Sequence, residues 1–225
     1  MNLQRTGGVA AIALGIVIIA EIAAFLIYAP SLGVSVGDLG DTTKFLDVLI
    51  RGRTFFSYEA LAFACASIFA IALVRALDQR LRSGAPDLSA TAAILGYAAF
   101  VVLALDFQVR AAFAHMSTAE VSRDAAMQAG PAVLIVGRGL GEAFSIVGGA
   151  YFALVSIAVL RVGALPRALA WLGLVVAAAA IVSIFAGIDP APQLLIMIWS
   201  FWTGAVLLTQ PLEPWATSAR TAPAS

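Results

Sequence analysis

GGVAAIALGIVIIAEIAAFLIYA, residues Gly7 to Ala29, contains one charge, Glu21, and is followed directly by Pro30. An α-helix rises about 1.5 Å per residue, so about 20 apolar residues cross the ~30 Å hydrocarbon core of a bilayer. This stretch meets that length. It is too long for the apolar centre of a cleaved signal, roughly 7–15 residues, and it reads as a retained transmembrane helix. Five further segments of the same kind follow, at about 54–74, 91–113, 131–160, 168–187 and 193–209. Pro131, Pro166 and Pro192 stand where first helical turns would begin, a position that tolerates a missing N–H.

The rest of the chain agrees with this reading. Its 225 residues are 62% hydrophobic and 12% charged, against about 45–50% and 25% in a soluble domain, and the mean hydropathy is +0.99. Such a composition excludes a disordered chain, a disulfide scaffold, a nucleic-acid binder and a cytosolic enzyme. Lys+Arg and Asp+Glu both total 13, so no net charge draws the chain to polyanions. Cys65, the single cysteine, permits neither an internal disulfide nor a cysteine metal cluster. The expected fold is all-α, a polytopic bundle of six transmembrane helices over residues 1–210. The tail 211–225, rich in Pro, Ala, Ser and Thr, is expected to be flexible.

Orientation follows from Lys and Arg in the short loops. With the N-terminus inside, Arg5, Arg75, Arg80, Arg82, Arg161, Arg167 and Arg220 lie on the inner side, and Lys44, Arg51, Arg53 and Arg123 on the outer. That balance places both termini in the cytoplasm. Two outer segments have helical character. Phe45, Leu46, Val48, Leu49 and Ile50, with Asp47 and Arg51 between them, make an amphipathic helix on the surface or an extension of the second span. Ser117-Thr-Ala-Glu120 is a capping-box pattern for a short helix ending at Gly130-Pro131.

Six ionisable residues fall within the spans: Glu21, Glu59, Asp106, Arg110, Arg138 and Glu142. Each costs roughly 2.5–3.5 kcal/mol in the middle of a span, so it faces protein or water and has a partner. Counted from the span ends, all six lie in the outer half, and no charge interrupts the inner half. Asp106 and Arg110 share one helix face, as do Arg138 and Glu142. The two helices are antiparallel and the order of charges is reversed, so Asp106 should meet Arg138 at one depth while Arg110 snorkels outward. Four acids against two bases leave two in surplus, and Glu142 and Glu21 are the expected proton, cation or amine holders. The same pairs would also fix helix partners with no ligand at all.

Weaker motifs carry less. Gly137-Arg-Gly139-Leu-Gly141-Glu follows no strand and misplaces its third glycine for a dinucleotide loop; Gly137, Gly141, Gly148 and Gly149 suit close helix packing. His115 alone can form neither a bis-histidine haem site nor an HExxH zinc site, and it reads as an interfacial residue. No serine lies in a GxSxG elbow. Any cofactor is left unknown by these motifs.

The stretch between Tyr151 and Leu174, with Leu165, Pro166, Arg167, Leu169 and Gly173, is similar to a signature of a bacterial integral membrane family known only as a domain of unknown function. Arg138 and the amino-terminal Arg-Thr-Gly-Gly also resemble that family, whose Arg-x-x-Glu-like pair has no counterpart at Gly96-Tyr97. The resemblance implies six helices in the inner membrane of a bacterium and no activity. Two functions remain open: an outward polar pocket in the first four spans that binds a small polar or cationic solute or relays protons, in a transporter or sensor; or an accessory scaffold that docks a membrane-protein partner. An intramembrane enzyme using Glu142 or Glu21 would lack a recognisable nucleophile or metal set. The lipid bilayer is the expected partner throughout.

Overall fold

A computed structural model describes residues 2–33, 41–116, 122–186 and 190–210. Seven helices follow in order: α1 Leu3–Ser31, α2 Thr42–Arg51, α3 Arg53–Leu81, α4 Pro86–Met116, α5 Arg123–Val162, α6 Arg167–Ala186 and α7 Pro190–Thr209. All but α2 are long and apolar enough to cross a membrane, which makes the chain a multi-pass, all-helical membrane protein. Among the described residues there is no strand. The six long helices close into a ring, α1–α3–α4–α5–α6–α7 and back to α1, each packing chiefly on its two neighbours. The starts of α1 and α4 and the ends of α3, α5 and α7 meet at one end of the ring, the terminal end; α2 lies at the other.

Small residues let the helices approach closely. A Cβ on Gly7 would overlap the Ala76 methyl of α3, and one on Gly204 would come within 2.9 Å of the Gly8 carbonyl of α1. A Cβ on Gly173 would overlap Ser156 Oγ of α5. Leu165 and Leu169, on either side of Pro166, are buried in the main core with Tyr151, Phe152 and Trp199. Of the expected packing glycines, Gly148 and Gly149 lie against Phe144 and Ala177, and Gly137 against Asp106, whereas Gly141 has open space around it.

Several boundaries differ from the sequence reading. Pro30 lies inside α1, because the last turn continues to Ser31. The third helix continues seven residues past Val74, so Arg75, Asp78 and Arg80 belong to it and its terminal end does carry charge. α5 starts at Arg123 rather than Pro131, which lies inside it. Its N-cap is Ser122, whose Oγ accepts from Ala125 N at 3.2 Å; the Ser117–Glu120 pattern, like the tail 211–225, lies outside the described residues.

α2 is a separate helix. Asp41 caps it by accepting from the N–H groups of Thr43 and Lys44. Its apolar face forms a small second core: Leu46, Val48 and Leu49 pack with Phe56 of α3 and Phe113 of α4, and Leu46 sits where a Cβ on Gly130 of α5 would be, 2.5 Å away. Asp47 pairs with Arg51 on its own helix and with Arg123 on α5. Tyr28 of α1 stacks on Phe55 of α3 at 4.4 Å between ring centroids. Its hydroxyl lies 2.6 Å from where a Cβ on Gly52 would stand, at the α2–α3 junction. The cap therefore ties together the far ends of α1, α3, α4 and α5.

Candidate functional site

Helix geometry puts the expected residues on one level. Counting from the terminal end, Glu21 is eighteen residues past Leu3 and Asp106 twenty past Pro86. Glu59 is twenty-two before Leu81 and Glu142 twenty before Val162. At ~1.5 Å per residue these are depths of roughly 27–33 Å, about the hydrocarbon thickness of a bilayer. Arg110 and Arg138 lie one turn further on, twenty-four residues from the same ends. The bases thus form a second tier above the acids, on the α2 side.

Four of the six residues come together. Glu59 is 7% exposed, and its carboxyl lies close enough to that of Glu21 across the α1–α3 seam for the two to interact. Glu59 Oε2 has no hydrogen-bond partner among the described residues. Asp106, 3% exposed, accepts from Arg110 Nη2 at 2.6 Å and from Nε at 3.2 Å. Arg110 and Asp106 both act electrostatically on Glu59. The Arg110 guanidinium also lies over the Phe107 ring, 5.2 Å from its centroid, and Phe107 stacks flat on Phe63 of α3. That aromatic pair packs α3 against α4 at the level of the cluster. Two residues beyond Asp106, Gln108 donates to the Ala60 carbonyl and pins α4 to α3.

Arg138 and Glu142 differ. They bond to each other at 2.8 Å on α5, with 77% and 40% of their side chains exposed. The expected Asp106–Arg138 level is present: Asp106 Oδ1 rests 3.2 Å from where a Cβ on Gly137 would be. Yet Asp106 bonds to the arginine of its own helix, and Arg110 folds back onto it instead of reaching outward. An i,i+4 partner requires only a side-chain rotamer, whereas a partner on another helix also requires matched rotation of two helices. Glu142 is accordingly an ion-pair partner, and the carboxyl that faces Glu21 is Glu59.

Packing around the cluster is loose on one side. From Ile19 to Tyr28 of α1, and from Arg138 to Val147 of α5, no described residue is fully buried, whereas α5 from Gly148 to Val159 has buried residues on every turn. Ile22 and Phe144 are partly buried against the main core at this level.

The sequence reading missed a second polar centre at the terminal end. Arg80, 7% exposed, donates to the Ala164 carbonyl at 3.0 Å and to the Gln210 carbonyl at 2.9 Å. Asp78 accepts from Arg82 and from Ser89 Oγ, and Gln4 Nε2 donates to the Ala76 carbonyl. Ending the helix at Val74 had made these residues loop charges. His115, exposed at the other end, bonds to Ser57 Oγ at 2.6 Å. Among the described residues no group of three or more His, Cys, Asp or Glu could hold a metal ion.

Comparison with family models, with curated proteins and with solved structures finds no match for this chain. Its function is therefore argued from the site.

Proposed function

We propose that the Glu21–Glu59 pair is a proton-carrying site in a transporter-like or sensor-like protein of a bacterial inner membrane. Both termini are cytoplasmic in this reading, and the site opens toward the α2 side. One observation carries it: the Glu21 and Glu59 carboxyls of α1 and α3 are close enough to interact, while the nearby Arg110 is engaged by Asp106. Two carboxylates this close do not both ionise, so the pair retains one proton. When that proton leaves, the pair becomes an anionic seat for a small cation or amine, with Glu59 Oε2 as the unused acceptor. The partly exposed turns of α1 and α5 supply the approach in this reading. A scaffold needs only closed ion pairs, such as Asp106–Arg110 and Arg138–Glu142; a carboxyl–carboxyl contact adds nothing to it.

Infrared difference spectra of the purified protein in lipid, recorded over a pH titration, test this. A protonated-carboxyl band that titrates is expected in the parent and is lost in both Glu21→Gln and Glu59→Gln, while Arg138→Gln retains it. Reconstituted vesicles with a pH-sensitive dye inside should lose proton-coupled signal in the same two variants. No such band in a folded parent, or a band that survives both substitutions, would leave the architectural reading standing.

A further inference from the structure

A second recess lies at the terminal end, away from the carboxylate cluster, and it does not depend on the function proposed above. α3 presents one stripe outward: Leu61, Cys65, Ile68 and Ile71 are exposed, and Arg75, Gln79 and Arg82 continue the stripe at helical spacing, also exposed. An open recess of about 170 Å³ lies at the end of this stripe, lined by Leu3 of α1 and by Arg75, Asp78, Gln79 and Arg82. The only acid in the lining is already satisfied, since Asp78 accepts from Arg82 Nη2 at 2.5 Å and from Ser89 Oγ at 2.7 Å. Arg75 makes no ion pair among the described residues. The recess therefore offers guanidinium and amide donors next to a strip of lipid-facing side chains.

We propose that this recess holds the headgroup phosphate of an anionic phospholipid, with an acyl chain lying along Leu61, Ile68 and Ile71. Guanidinium groups bind phosphate by paired N–H donors, and basic recesses between membrane helices are suited to anionic headgroups. The apolar stripe is what selects a lipid over a free anion. It leads about 21 Å from Leu61 to Arg75 without a charge, and an inorganic phosphate would make no use of it.

The test uses the full chain purified in mild detergent and native mass spectrometry with phosphatidylglycerol, phosphatidylcholine or inorganic phosphate added. Retained phosphatidylglycerol adducts are expected, with phosphatidylcholine retained much less. Arg75→Gln should reduce phosphatidylglycerol retention about fivefold, the effect of one surface arginine on an anionic lipid. Arg75→Lys should be intermediate, because charge remains while the paired donors are lost. Arg167→Gln, an exposed arginine at the start of α6, should change nothing. The proposal fails if Arg167→Gln weakens retention as much as Arg75→Gln, if the two lipids bind alike, or if inorganic phosphate alone is retained and displaces the lipid. Circular dichroism and a melting curve on Arg75→Gln separate lost binding from lost folding.

Discussion

Two kinds of glycine occupy the bundle, and their surroundings predict opposite responses to one added methyl. At Gly7 a Cβ would meet the Ala76 methyl and lie 3.5 Å from the Ala72 carbonyl, both fixed parts of α3. Nothing there can rotate away, so Gly7→Ala must push α1 from α3. Overpacking of this kind costs about 1–3 kcal/mol, and the melting temperature in detergent should fall accordingly. Gly139 and Gly141 of α5 have no atom within 4 Å of an added Cβ. There Gly→Ala removes backbone freedom without a clash and should stabilise the helix by roughly 0.5–1 kcal/mol. A lower melting temperature for Gly139→Ala would show a neighbour seated on that face of α5. The sequence alone cannot separate these glycines, since both kinds lie in apolar helical segments and differ only in what stands opposite.

α3 shows how far sequence carries at the level of an element. Its existence is plain from hydropathy, as is that of the other five long helices, because length and apolar content alone meet the bilayer requirement. Its end is not plain. Val74 is the last residue of the apolar run, but helix formation does not depend on apolarity, and the chain stays helical through Asp78 and Arg80 to Leu81. The extra two turns do structural work at the terminal end. Arg80 joins the α5–α6 turn at Ala164 to the end of α7 at Gln210, so one side chain closes the ring between elements distant in sequence. Hydrogen bonds from a charged donor contribute about 1.5–3 kcal/mol each, reduced here by the cost of burying the guanidinium. Arg80→Ala should lower stability by about 2–3 kcal/mol. Arg80→Lys, which has no fork to reach two carbonyls at once, should recover less than half of it. Proteolysis at the end of α7 offers a local readout: it should accelerate in Arg80→Ala and stay unchanged in Arg167→Gln.

At the scale of the whole molecule, burial changes along two of the helices. Tyr151, Phe152 and Trp199 are buried in the main core, while Ile19–Tyr28 of α1 and Arg138–Val147 of α5 hold no fully buried described residue. That division follows from composition along the helices. Gly7, Gly8 and Gly15 hold the first half of α1 against α3 and α7, and no glycine occurs between Glu21 and Ser31 to continue the close approach. The level of the charges was legible in the sequence because depth is a count of residues. Their partners were not, because rotation about each helix axis decides who faces whom, and the apolar run from Gly7 to Ala29 has no second charge to fix its rotation. The proposed approach to the carboxylates has a direct consequence for labelling. In a Cys65→Ala background, Ile22→Cys on the bundle side of α1 and Leu140→Cys, one turn before the core-facing Phe144, should react with a membrane-impermeant thiol reagent. Ile16→Cys and Ile146→Cys, exposed on the outside of the same helices, should not, because thiols in hydrocarbon stay protonated and out of reach. Reaction from the periplasmic side alone would also place both termini in the cytoplasm. If Ile22→Cys and Leu140→Cys are inert from both sides while the protein remains folded, water does not enter the ring at the carboxylates, and Glu21–Glu59 has no aqueous route by which to exchange its proton.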